Sequence, residues 1–131
     1  MSRLVVALGD GLVLVVFTLL GVRAHGGVPD LNALLRTAFP LLLSWAAVSG
    51  VLGTYRRPVR TGWLGAWPLG ILLGVLVRQA LLGRPLLDSG TPTFALVSLL
   101  VTGALLFAWR SVAAAWEART QRPGAQRQPG A

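Results

Sequence analysis

Cysteine is absent from the chain, so neither disulfides nor thiolate metal ligands can hold it together in any compartment. Lysine is absent too, and all 12 basic side chains are arginine. Two readings of that bias stay open: guanidinium groups selected for phosphate, or codon usage that prefers arginine. Histidine occurs once, at His25, which excludes a histidine metal cluster but leaves one side chain able to titrate near neutrality. Acidic residues number only 4 (Asp10, Asp30, Asp88 and Glu117), and no helix carries a pair of them. Charged residues are 12% of the total, about half the share of roughly 25% in soluble domains. Against them stands a hydrophobic fraction of 54%. A chain of 131 residues has room for one domain. So few charges cannot cover its apolar surface in water, and the remaining solvent is lipid.

What is present is four long apolar runs, each near the ~20 residues that cross a ~30 Å hydrocarbon core as a helix. The expected architecture is all-α, an integral membrane bundle of four transmembrane helices over residues 1–116. The helices are expected at about 4–22, 31–54, 62–82 and 92–116. The first run exceeds a signal-peptide core and contains Asp10, which argues for a retained helix. Pro29 and Asp30 break the chain, with Asp30 placed to cap the second helix. Pro40 inside that helix removes a backbone donor and crowds the carbonyl four residues earlier, predicting a kink between Arg36 and Pro40. Tyr55 to Arg60 reads as a compact basic loop, and Thr91-Pro92 as the opening of the fourth helix. Residues 117–131 are rich in Arg, Gln, Pro and Gly and read as a disordered basic cytoplasmic tail.

Arginine placement sets the orientation. Arg3, Arg56, Arg57, Arg60, Arg110, Arg119, Arg122 and Arg127 fall on one side, and Arg23, Arg36, Arg78 and Arg84 on the other. The positive-inside rule then puts both termini in the cytoplasm of a multi-pass protein of the cell membrane. Clustering at helix ends fits membrane orientation rather than nucleic-acid binding. Trp63, Trp67, Trp109 and Trp116 lie toward helix ends, as interfacial aromatics do.

Asp10 is the most informative residue. A carboxylate within a membrane helix costs about 2.5–3.5 kcal/mol on insertion scales and normally faces protein or water. Arg3, Ala7, Asp10, Leu14, Phe17, Gly21 and His25 share one helical stripe, with Thr18 beside it, while Val5, Leu8, Leu12, Val15, Val16 and Leu19 suit lipid. Asp10 therefore points inward. At ~1.5 Å per residue it lies about 10 Å above Arg3, level with Ser49, Gly50, Trp67, Gly70 and Thr102. Ser49 and Thr102 offer hydroxyls, and Arg110 or Arg57 could reach up from the inner surface. Two roles follow: a proton or cation site formed by Asp10, Ser49 and Thr102, or a buried carboxylate holding helices in register.

Arg23, His25, Arg36 and Arg78 are expected at the outer end, as an anion-attracting vestibule or as snorkelling side chains. Gly62, Ala66, Gly70 and Gly74 recur every fourth residue, a spacing that lets backbones approach closely inside the bundle or across a homodimer. No phosphate loop, metal set or cofactor motif is present. A Ser–His–Asp cluster would need His25 and Asp10 to meet from opposite depths, so no enzymatic activity is expected.

The order of short motifs resembles a family. Asp10, Phe17, Gly21-Val22-Arg23-Ala24-His25, Thr37-Ala38-Phe39-Pro40, Trp45, Arg78, Phe94 and Trp109-Arg110 are similar to the small prokaryotic membrane proteins grouped as domain of unknown function 3054. The likeness runs from Leu4 to Arg110 and departs at Leu41, where phenylalanine is expected. It implies a four-helix membrane domain, adds weight to Asp10, His25, Pro40 and Arg78, and brings no established activity. The function expected is that of a structural or partner-binding membrane protein in contact with the bilayer, with a homodimer or another membrane protein as partner. The alternative is a small proton- or cation-linked transporter or channel using Asp10.

Overall fold

Three helices are long and apolar enough to cross a membrane: α1 (Arg3–Ala24), α2 (Leu31–Leu52) and the body of α4, Thr91–Gln121. The fourth, α3 (Ala66–Leu81), has 16 residues and spans about 24 Å. The computed structural model describes residues 2–28 and 30–125, with side chains described as far as 121. Pro29, Arg127 and the side chain of Arg122 lie outside the described residues. Among those described there is no strand. Around the bundle α2 packs on α3, α3 on α4 and α4 on α1, and α1 meets α2 mainly at its first turns.

Local chemistry sets the helix limits. Ser2 caps α1 by accepting from the Val5 amide, and Asp30 caps α2 by accepting from Ala33. The disturbance expected before Pro40 takes the form of a π-helical turn over Leu34–Ala38. There the Phe39 amide reaches back five residues to the Leu34 carbonyl, a widening that accommodates a residue lacking its own donor. Gly53 ends α2 with φ 65° and ψ 38°, a left-handed conformation that suits glycine. α4 (Thr91–Ala125) continues past Trp116, so residues up to 125 extend the helix where the sequence suggests an unpacked tail. Ala-rich 113–118 favours helix enough to carry the first part of that polar segment onward.

Tryptophan seated on glycine recurs at three helix contacts. A Cβ added at Gly9 of α1 would collide with the Trp109 ring of α4, and one at Gly103 of α4 would lie 2.6 Å from Trp67 of α3. Gly70 of α3 faces Trp45 of α2 at 3.3 Å, and one turn on Gly74 faces Leu41 at 2.7 Å. The α3 stripe thus packs within the chain, against α2, and is not free for a second copy. Gly62 is not part of it. It lies in the turns of 59–65, where a Cβ would come within 2.9 Å of both the Pro58 and Thr54 carbonyls. Trp63 and Trp67 are likewise not a surface belt: Trp63 is buried and donates to the Arg60 carbonyl, and Trp67 donates to that of Leu99. Trp116 does stand exposed.

Burial on α1 follows the stripe read from the sequence. Asp10, Leu14, Phe17 and Thr18 are buried, and Val5, Leu8 and Leu12 are exposed. Leu96, Leu100 and Phe107 of α4 are exposed as well, giving the bundle an apolar exterior. Replacing Gly74 with leucine should destabilise the single chain by about 1–3 kcal/mol through overpacking on Leu41. Thermal unfolding in detergent followed by circular dichroism should show a lowered midpoint, with no change in the oligomer size of the folded fraction.

Candidate functional site, a buried ion pair closed by the basic loop

Asp10 lies about two turns into α1 and is fully buried. Arg110, from the far part of α4, is the largest fully buried side chain. Its Nε donates to Asp10 Oδ1 at 2.9 Å and its Nη2 to Oδ2 at 2.6 Å. This is the two-point match of a planar guanidinium to a carboxylate. Arg110 Nη1 donates to the Val59 carbonyl at 3.1 Å, so all three guanidinium nitrogens have acceptors. The Tyr55 hydroxyl donates to Asp10 Oδ2 at 2.8 Å and accepts from Trp45 Nε1 at 2.8 Å. The Arg110 guanidinium also faces the Tyr55 ring, 5.6 Å from its centre.

The loop between α2 and α3 makes this closure possible. The left-handed turn at Gly53 stops α2, and a single tight turn spans Thr54–Arg56. That turn brings Tyr55 to Asp10. Farther along the loop, the Gly62 amide donates back to the Pro58 carbonyl at 2.8 Å and draws the turns of 59–65 together. Backbone outside a helix is tolerated within a bundle only where its polar groups find partners, and the Val59 carbonyl finds Arg110. Burial above all, with the neighbouring Asp10 charge second, pushes the Tyr55 phenol up to about 12. The phenol therefore keeps its proton at neutral pH and serves as a donor.

Of the two arginines within reach of Asp10 by level, Arg110 makes the pair, while Arg57 is exposed and donates to the Leu52 carbonyl. Ser49 and Thr102 do not join the site. Ser49 Oγ is buried without a partner, and Thr102 Oγ1 donates to the Ser98 carbonyl on its own helix. A shared level along the bundle axis is not a shared face, and the donors to Asp10 come from Tyr55 and Arg110 instead. Tyr55 and Trp45 are site residues that helical periodicity does not reach. A signal exists all the same: the chain's single tyrosine sits two residues after a glycine fit to end a helix.

At the opposite end no common cluster forms. Arg78 Nε donates to Thr37 Oγ1 at 3.1 Å, and its guanidinium lies 4.7 Å from the centre of the Phe94 ring. Arg23, His25 and Arg36 are exposed, and among the described residues no side-chain hydrogen bond links the four. Thr37 and Phe94 account for Arg78 as a tie between α2, α3 and α4.

The family described as "protein of unknown function (DUF3054)" matches residues 7–113. The chain belongs to the domain of unknown function 3054 family. Among the curated proteins and the solved structures, none matches the chain. The family match takes in Asp10, Trp45, Tyr55 and Arg110, the whole of the ion-pair network, together with Arg78. It stops short of the distal part of α4, where Glu117 stands.

Asp10→Asn should cost about 3–5 kcal/mol, because it leaves Arg110 buried without its counter-charge. Arg110→Gln should cost a similar amount. The double variant should cost clearly less than the sum of the two, and a denaturation cycle in mixed micelles measures that coupling. Tyr55→Phe removes a donor to the Asp10 carboxylate and the acceptor of Trp45 Nε1, and should cost about 1.5–3 kcal/mol in the same assay.

Proposed function

We propose that the chain is a four-pass protein of the cell membrane that serves as a structural or partner-binding component, rather than as an enzyme or a carrier. The observation that carries this reading is the occupancy of Asp10. Both carboxylate oxygens are taken by donors from the same chain, Arg110 and Tyr55. A cation reaching Asp10 would have to displace a bidentate guanidinium. A group so engaged is suited to clamp α1, α4 and the loop together. Of the two roles open to Asp10, that engagement supports the register-holding one.

The arginine distribution supports placing both termini on the cytoplasmic side. Arg3 and the loop arginines Arg56, Arg57 and Arg60 belong to the end of the bundle at which α1 starts, the end where Arg110 closes the ion pair. Because Gly70 and Gly74 are occupied by α2, a partner helix or second copy would meet one of the exposed apolar faces instead. No catalytic set is assigned. The competing reading is a proton- or cation-linked transporter through Asp10, favoured by one feature: a cavity at that same end opens onto Arg110 and Tyr55.

Reconstitution into liposomes loaded with a pH-sensitive dye separates the two readings. The native chain should give no proton flux above that of protein-free vesicles under an imposed gradient. Flux through the native chain that disappears in a folded, inserted Asp10→Asn variant would overturn the structural reading in favour of transport.

A further inference from the structure

The cavity below the ion pair has a volume of about 260 Å³. Its wall holds four guanidinium groups, those of Arg3, Arg56, Arg57 and Arg110, and one carboxylate, Glu117. Counting Asp10, which neutralises Arg110 from behind, two positive charges remain uncompensated. Arg3, Arg56 and Arg57 are exposed, and Arg57 Nε donates to the Leu52 carbonyl. Thr54 lines the same cavity. It is fully buried, and its hydroxyl has no hydrogen-bond partner. That hydroxyl is closed off from the cavity, so the arginines are the groups that a bound ion would meet.

We propose that this cavity binds a phosphate dianion, as a phosphomonoester or as free phosphate. Guanidinium forks from several directions suit the tetrahedral set of oxygens on phosphate. The residual charge of two matches a phosphate dianion. Arg110 is held in place by Asp10 and Val59, and Arg3, Arg56 and Arg57 are the exposed arginines around it. The source is either a lipid headgroup at the membrane surface or a free phosphorylated solute. The site shares Arg110 with the clamp, but its other arginines, Arg3, Arg56 and Arg57, stand apart from Asp10, so the clamp can hold whether or not phosphate binds.

Diffuse attraction between basic residues and an anionic membrane falls with salt. It depends on charge and not on guanidinium geometry. Arg56→Lys/Arg57→Lys, which keeps the charge and loses the planar forks, is therefore the discriminating variant, with Arg56→Gln/Arg57→Gln as its companion and circular dichroism as the folding control. The full chain in a neutral detergent is titrated with inorganic phosphate, against chloride at equal ionic strength, and its thermal midpoint followed. In parallel, phosphatidic acid is titrated into nanodiscs of phosphatidylcholine, and retained lipid is read by native mass spectrometry.

Stabilisation by inorganic phosphate, weakened about tenfold in apparent affinity by Arg56→Lys/Arg57→Lys and further by Arg56→Gln/Arg57→Gln, supports the site with a soluble ligand. Retention of phosphatidic acid with the same variant pattern, and no response to inorganic phosphate, supports it with a lipid headgroup. Should neither probe bind, or should folded Arg56→Lys/Arg57→Lys bind both as the native chain does, the proposal is overturned.

Discussion

A carboxylate and a guanidinium removed from water together constrain everything else in this bundle. Taking each charge out of solvent costs several kcal/mol, recovered only where the geometry is close and the leftover donors and acceptors are satisfied. Asp10 and Arg110 meet both conditions, but not by themselves. Arg110 needs the Val59 carbonyl for its third nitrogen, and Asp10 takes a further proton donor from Tyr55. The ion pair thus dictates where α1 and α4 cross and also obliges the loop between α2 and α3 to turn inward. That inward turn is the reason α3 is short: residues that could have extended it form the turns of 59–65 instead.

Packing above the pair obeys a different rule, that of flat indoles on bare backbone. Trp45, Trp67 and Trp109 each cover a glycine on a neighbouring helix, replacing many small aliphatic contacts with a few broad ones. Where lipid is as apolar as the core, close backbone approach and shape fit hold helices together. The indole nitrogens show how polar cost is handled. Trp45 donates to Tyr55 and Trp67 to a helix carbonyl, while that of Trp109 is buried without a partner.

Much of this is legible in the sequence. Length and polarity of the apolar runs mark the helices, and the three- and four-residue spacing around Asp10 identifies the buried face of α1. The partners of Asp10 are only half legible. Arg110 lies within reach by level alone. Tyr55 becomes visible only once Gly53 has turned the chain back, because periodicity describes helices and is silent about loops. Ser49 and Thr102 mislead for a related reason: depth along an axis is simple arithmetic, whereas rotation about it depends on packing. Trp67 and Trp109 lie near helix ends by position and yet pack inward, and only the opposing glycines, Gly103 and Gly9, far off in the chain, reveal that.

The separation of the ion pair along the chain also has a meaning in time. Asp10 and Arg110 stand 100 residues apart. At roughly 5–20 residues added per second, the carboxylate waits about 5–20 s for its guanidinium during synthesis. Tyr55 emerges near the midpoint of that wait and can hold Asp10 in the meantime. The order of synthesis thus makes the last helix the one that completes the first, and a nascent chain halted before Arg110 carries an unpaired carboxylate by which quality control could tell it from a finished one.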